Sequence, residues 1–337
     1  MLSVQVNLRA ITKNIATIKK RLRPNTKFCA VVKSNAYGFG LERIARLISP
    51  LVDCFAVMTL AEGIALRSYG IEQDILVLGV TTDFATAIKH NLIVTLNTVA
   101  EAKYLQQNNL HPRLHIAVNT GMNRFGLNSV HELRAILQTL PDAKIEGCYT
   151  HLAYEADHPV QIDQALTHFQ KFTSIVKQYY PNAILHAGCS GVINYPAAHL
   201  DMLRIGKAMY GGTPDTQTAL TIKSRIVAIK KIKAGATVGY NGEFTAPNTM
   251  VIGVVQGGYA HGIQRQFSGN ATVMVDRQPC PVIGRVCMDC FFIDVTAITK
   301  PLGKTVTIMT TGHGQSLMDL ARTTQTIPCY LLQGFRY

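Results

Sequence analysis

The 337-residue chain has no low-complexity tract, no block of like charge and no apolar stretch long enough to span a bilayer as a helix. A chain of this composition and length is globular and able to bury one large core, or one large and one small. The first residues, Met1-Leu-Ser-Val-Gln-Val-Asn-Leu, alternate like a strand and lack the basic-then-apolar layout of a signal peptide. A cytoplasmic enzyme is the expectation. Nor is there a disulfide framework: the eight cysteines sit mainly in apolar runs (Cys29, Cys54, Cys148) and read as reduced core thiols. Acidic residues are scarce, giving a net charge of +13, yet no stripe joins basic residues to exposed aromatics as a nucleic-acid surface requires. The densest basic cluster, Lys230-Lys-Ile-Lys233, reads as a solvated strand edge. A basic surface of this kind draws in small anions such as phosphates and carboxylates.

Between residues 10 and 210, apolar β-like runs alternate with helix-period segments. Strands are expected at Phe28–Lys33, Cys54–Met58, Ile75–Leu78, Ile93–Leu96, Leu114–Asn119, Ile145–Thr150, Ile184–Ala187 and Met202–Ile205. Helical patterns cover Leu60–Tyr69, Val99–Gln107, Val130–Leu137 and Ile162–Gln178. Regular βα alternation means a parallel sheet with crossover helices, and eight units in about two hundred residues fit a (β/α)8 barrel. A doubly wound open sheet fits the same periodicity. After Ile222 the rhythm turns to short strands separated by Gly, Pro and Asp, with little helix until Leu317–Arg322. The organisation expected is therefore a barrel over 9–222 and a mostly antiparallel β domain over 223–337, joined by a strand from 1–8.

The segment Phe28-Cys-Ala-Val-Val-Lys33-Ser-Asn-Ala-Tyr37-Gly-Phe-Gly40 runs from a buried strand into a glycine-punctuated turn. A lysine at the carboxyl end of a core strand is oddly placed for a solubilising charge. Apolar packing there favours the neutral amine that Schiff-base chemistry needs, although a lysine snorkelling off a strand end has the same pattern. Cys287-Met-Asp-Cys290, with Cys280 upstream, invites a zinc reading. One such pair is a weak signal, and along a continuous strand the two thiols point to opposite faces, so no metal site is expected.

The run Val-Val-Lys33-Ser-Asn-Ala-Tyr37-Gly resembles the pyridoxal-phosphate attachment motif of alanine racemases. The resemblance extends over essentially the whole chain. Asn119-Thr-Gly-Met-Asn-Arg124-Phe-Gly resembles the family's arginine loop, and Gly147-Cys-Tyr-Thr-His151-Leu-Ala its histidine strand. His186-Ala-Gly-Cys-Ser190 and Arg204-Ile-Gly206-Lys-Ala-Met-Tyr-Gly resemble its phosphate and pyridine-nitrogen elements. Val238-Gly-Tyr-Asn, Gly258-Tyr259-Ala-His-Gly and Gly284-Arg-Val-Cys-Met288-Asp289 follow in the same order.

The resemblance implies that Lys33 carries pyridoxal phosphate and that Tyr259 is the second acid/base, opposite it. A racemase needs a proton donor on each face of a planar Cα, so two bases are a chemical requirement. A tyrosine is a poor base at neutral pH without positive neighbours, and the resemblance makes His151 and Arg204 that support. It places Arg204 at the pyridine nitrogen, Tyr37, Ser190 and Gly206 at the phosphate, and Arg124 and the Met288 N–H at the substrate carboxylate. It implies D-alanine production for peptidoglycan by a homodimer in which Tyr259 and Met288 reach the other subunit's lysine. Asp289 falls at the pocket entrance.

The chain departs from the family pattern in three places. Ala117 and Asn119 stand where many members have a carbamylated lysine and an aspartate, which removes the anionic support of Arg124. An inorganic anion or a looser loop is the expected consequence. In Thr326-Ile-Pro328-Cys329-Tyr330, Cys329 aligns with a gate tyrosine. Its loss would enlarge the pocket and make serine a candidate substrate, unless Tyr330 takes the place. His261 stands where aspartate is usual. A serine racemase is thus the first alternative. A barrel-type decarboxylase lacks the Gly-Tyr-Ala-x-Gly element, and a single-domain pyridoxal-phosphate carrier lacks residues 223–337. A longer membrane-attached parent protein is equally compatible with the sequence.

Overall fold

The computed structural model describes residues 2–311 and 315–335. Met1 of the expected first strand, and 312–314 and 336–337 of the expected β domain, lie outside the described residues. A short strand β1 (Ser3–Val6) is followed by eight parallel strands: β2 (Lys27–Val31), β3 (Cys54–Val57), β4 (Asp74–Val77), β5 (Ile93–Leu96), β6 (Arg113–Val118), β7 (Lys144–Thr150), β8 (Ile184–His186) and β9 (Met202–Ile205). The order β8-β7-β6-β5-β4-β3-β2-β9 closes on itself, because Asp201 N–H donates to Leu185 and Arg204 N–H to Gly188 across the remaining seam. The result is a (β/α)8 barrel, not an open doubly wound sheet. Every expected strand of this region is present within two residues of its bounds.

Side chains meet across intervening strands, which is possible only on the concave side. The Cys54 and Met202 sulfurs approach to 3.3 Å over β2, and Thr95 Oγ1 lies 3.2 Å from Tyr149 Oη over β6. Small or flexible residues such as Cys29, Val31, Cys54, Ala56 and Met202 fill the interior. The alternate residues, such as Phe28, Phe55 and Ile75, are buried on the helix-facing side. Burial on both faces explains why these strands read as continuous apolar runs. Helices Leu60–Ser68, Val99–Gln107 and Val130–Thr139 each open with a capping box: Thr59 with Glu62, Thr98 with Glu101 and Ser129 with Glu132.

By Cα packing the chain divides into a unit of residues 15–206 and a second of 1–14 with 207–337. In the second, β10 (Leu220–Ile232) is 13 residues long and pairs with β1, with β17 (Thr305–Met309) through its first half, and with β13 (Met250–Gln256) through its second. A bulge at Val227 bends it between the two. The ring is completed through β14 (Thr272–Val275), β15 (Gln278–Ile283) and β16 (Cys290–Asp294), all antiparallel. A two-stranded ribbon, β11 (Thr237–Val238) and β12 (Phe244–Thr245), sits between β10 and β13 in sequence. Lys230 and Lys231 are exposed on β10.

Phe55 is fully buried between β3 and the helices. Phe55→Ala should cost about 3–5 kcal/mol, read as a lower urea midpoint at unchanged slope.

Candidate active site

Strand parity sets the site. Cys29 and Val31 face the barrel interior, and the same parity carries Lys33 to the mouth at the carboxyl ends of the strands. Met202 and Arg204, and Gly147, Tyr149 and His151, follow the same rule in β9 and at the end of β7. Lys33 lies two residues beyond β2, and its amine pairs with no described residue.

After Lys33 the backbone does something that the glycine-punctuated turn did not announce. Ser34, Asn35, Ala36 and Tyr37 all have φ between +53° and +57°, a full left-handed turn of non-glycine residues. Each costs roughly 1–2 kcal/mol against the right-handed form. Several contacts hold it: Glu62 Oε1 accepts the Ser34 N–H, Asn35 Oδ1 accepts the Leu41 N–H at 2.7 Å, and Ala36 is fully buried. The turn delivers the Tyr37 hydroxyl to Gly206, where a Cβ would stand 2.2 Å from it. The Gly206 N–H donates to Ser190 Oγ at 3.0 Å. Two hydroxyls thus converge on a residue that must be glycine, an arrangement suited to an anion.

Arg204 is buried, and no carboxylate pairs with it among the described residues. Its Nη2 donates to the Thr150 carbonyl at 2.7 Å and the Ala187 carbonyl at 3.1 Å, its Nη1 donates to His186 Nδ1 at 2.6 Å, and the guanidinium lies over the Tyr149 ring. Because arginine only donates, His186 Nδ1 is the acceptor and its Nε2–H donates to His115 Nδ1 at 2.9 Å. His115 Nε2–H is then a buried donor with no described partner, above Gly147, whose Cβ would lie 2.6 Å from the ring. The Nε–H of Arg204 is used by no described residue. Burial depresses all three histidines, with Arg204 adding to it. His115 and His151 are pushed down to about 3, and His186 well below its usual value. For His151 the nearby charges of Arg204, Arg124 and Lys33 contribute after burial, which brings these four residues into one neighbourhood.

Arg124 is exposed in the loop after β6, its guanidinium over Phe125. Asn119 makes its hydrogen bonds inside this loop. Asn119 Oδ1 accepts the Gly121 and Asn123 N–H groups, and its Nδ2 donates to Asn123 and Asn128 at 2.8 Å each. A neutral amide does here what a carboxylate alone could not, since it donates as well as accepts. Ala117 is buried.

In the second unit, Tyr259 and Met288 sit on two loops bound face to face. Tyr259 N–H donates to Cys287 at 3.0 Å, Ala260 N–H to Met288 at 3.1 Å and Gly257 N–H to Asp289 at 2.8 Å. A Cβ on Gly258 would lie 2.1 Å from the Cys287 carbonyl oxygen, so glycine is obligatory there. The Met288 N–H donates to no described group. Asp289 is exposed, 4.0 Å from His261 Nδ1. Tyr259 and Tyr330 line one cleft with Arg265 and Gln333, whereas Cys329 does not line it. The expected alternation of Cys287 and Cys290 along one strand is corrected: β16 begins only at Cys290, and Cys287 lies in the preceding loop, where its thiol donates to the Arg285 carbonyl at 3.6 Å.

Residues 6–214 match the alanine racemase N-terminal domain family, and residues 219–336 the alanine racemase C-terminal domain family. The chain belongs to the alanine racemase family. Curated alanine racemases from Ligilactobacillus salivarius and Streptococcus pyogenes are 32% and 33% identical to it, over 96% of this chain and 92% and 93% of theirs. Among solved structures, alanine racemase from Bacillus anthracis with bound L-Ala-P superposes with a TM-score of 0.86 at 28% identity, covering 99% of this chain and 92% of that one. Alanine racemase from Bartonella henselae with covalently bound pyridoxal phosphate gives 0.88 at 26%, covering 100% and 97%. The family's cofactor fits the residues present: an unpaired amine, a two-hydroxyl anion cradle and a buried guanidinium with an unused donor. Sequence reasoning missed the roles of His186, His115 and Tyr149, although their inward parity was a usable signal.

Gly206→Ala should displace the Tyr37 hydroxyl and weaken pyridoxal-phosphate retention on gel filtration while leaving the fold intact by circular dichroism. A histidine whose folded pKa is depressed takes up its proton on unfolding, so its contribution to stability is present above about 6.5 and lost as pH falls toward 3. Denaturation free energy should therefore decline through that window, and less steeply in His115→Gln.

Proposed function

We propose that this chain interconverts L- and D-alanine with pyridoxal phosphate held on Lys33, using Lys33 and Tyr259 as the two bases. The observation that carries the reading is the gathering at one barrel mouth of the Lys33 amine, the acid-free buried Arg204 and the Tyr37–Ser190–Gly206 cradle. Bound there, pyridoxal phosphate supplies an electron sink that acidifies the substrate Cα–H. Tyr37 and Ser190 hold its phosphate. Arg204 would hold its ring nitrogen and, unable to give up a proton, would leave that nitrogen unprotonated, which would limit side reactions.

The Lys33 amine moves the Cα proton on one face, and the Tyr259 phenol does so on the other. His151, pushed down to about 3, serves as a neutral hydrogen-bonding relay. Arg204 provides the positive charge that makes a phenolate tolerable. Arg124 and the Met288 N–H hold the substrate carboxylate. Tyr259 and Met288 are 47% and 55% exposed, which supports a homodimer in which the partner's Tyr259 and the partner's Met288 complete each site. The serine alternative depends on Cys329 opening the pocket. The cleft beside Tyr259 is lined by Tyr330 instead, and alanine is the substrate proposed. The setting proposed is the cytoplasm, with D-alanine supplied to peptidoglycan; no helix among the described residues is long and apolar enough to cross a membrane.

Borohydride reduction followed by peptide mapping should place the cofactor on Lys33, and an adduct on any other lysine ends the reading. Tyr259→Phe should keep the cofactor spectrum and lower racemisation by about 10²–10⁴-fold. In deuterium oxide it should exchange the Cα proton of one enantiomer faster than the other. Equal exchange of both enantiomers would remove Tyr259 from the mechanism.

A further inference from the structure

Three sulfurs gather inside the barrel with no part in the proposed chemistry. Cys54 opens β3 and Met202 opens β9, and their sulfurs lie 3.3 Å apart across β2. On β2 itself, Cys29 is the direct lateral partner of Cys54 in the parallel register, which sets the two backbones about 4.8 Å apart. All three belong to one buried interior cluster, so their side chains leave the sheet on the same face. Cys29 is fully enclosed and Met202 is 2% exposed, whereas Cys54, at 9%, is the nearest of them to solvent. The way in is therefore at the amino-terminal end of the strands, opposite the Lys33 mouth. Asp53 precedes Cys54, and Asp74 is its register partner on β4, so two carboxylates stand beside that entrance and favour a cation.

We propose that Cys29, Cys54 and Met202 form a soft-metal site that takes a monovalent copper ion. Among the described residues no group of three histidines, cysteines or carboxylates could hold a metal, so a harder divalent ion finds no full ligand set here. Two thiolates and a thioether are the donors that select Cu(I). With metal–sulfur bonds of about 2.3 Å, ligands in a trigonal plane stand about 4 Å apart, so the Cys54–Met202 pair has to open by less than about 1 Å. Met202 can yield that much, being unbranched and flexible. Each thiol gives its proton to solvent as its S–Cu bond forms, the thioether adds a lone pair, and no electron changes hands. The +1 ion becomes part of a complex of charge −1. Cys29 is also the register partner of Arg204 on β9, so this charge arises beside a guanidinium that no described carboxylate pairs. Copper thus quenches the field that Arg204 otherwise exerts. Binding is independent of the racemase reading; its effect on turnover rests on that reading.

The test first alkylates the native holoenzyme with iodoacetamide, which reaches the half-exposed Cys189, Cys287, Cys290 and Cys329 and spares the buried thiols. The protein is then titrated under nitrogen with Cu(I) in competition with the chelator bicinchoninate. One ion per chain should transfer with release of two protons, and X-ray absorption should show a first shell of sulfur alone. Cys54→Ala should abolish the transfer. Met202→Leu, which keeps the side-chain volume, should weaken it by at least about 10-fold, the smaller loss seen when a ligand forfeits only its outer support. Alanine racemisation should fall as the site fills and return when excess chelator strips the ion. No transfer to the alkylated protein, or transfer undiminished in Cys54→Ala, overturns the site. Equal affinity in Met202→Leu overturns the third ligand. A filled site with unchanged turnover overturns the coupling to Arg204. An unloaded enzyme that does not racemise alanine yet takes the ion sinks the racemase reading and leaves the site standing.

Discussion

A buried positive charge without a carboxylate is the constraint around which the barrel end is organised. Arg204 enters the interior because β9 alternates, and burial there costs several kcal/mol unless dipoles replace water. Two backbone carbonyls, the Nδ1 of His186 and the face of Tyr149 supply them. A paired carboxylate would stabilise the charge better, but would also satisfy the donors that a ligand ring needs. Neutral partners keep the charge available. The same field, together with burial, holds His151, His186 and His115 neutral, so their tautomers follow from the one group that can only donate.

Against this fixed charge, Lys33 and Tyr37 are placed by strain. A strand alone would project them alternately and leave Tyr37 far from Gly206. The left-handed turn compresses Ser34–Tyr37 into one coil and is held by Glu62, whose carboxylate also caps its own helix, Leu60–Ser68, by accepting the Met58 and Thr59 N–H groups. One side chain therefore couples the stability of a barrel helix to the orientation of a proposed cofactor contact. Gly206 completes the arrangement by having no Cβ where the Tyr37 hydroxyl lies. The second unit uses a different device. Its Tyr259 and Met288 loops are joined by backbone hydrogen bonds at contact distance, which requires a bare backbone at Gly258. Rigidity there comes from the main chain, so the exposed side chains remain positioned without being packed.

Barrel strands, their bounds and the inward parity that brings Lys33, His151 and Arg204 together were determined by the sequence itself, because burial on both faces writes unbroken apolar runs. The resemblance to alanine racemases was legible for the same reason: its motifs are contiguous. Tertiary structure decided what contiguity cannot express. Closure of the sheet depends on hydrogen bonds between β8 and β9, and the left-handed turn on a carboxylate 28 residues away. The histidine chain behind Arg204 joins three strands, and whether Tyr330 or Cys329 meets Tyr259 depends on how one helix lies over a loop. Each of these outcomes rests on partners distant in sequence or on a backbone reversal, and neither leaves a periodic trace in the order of the residues.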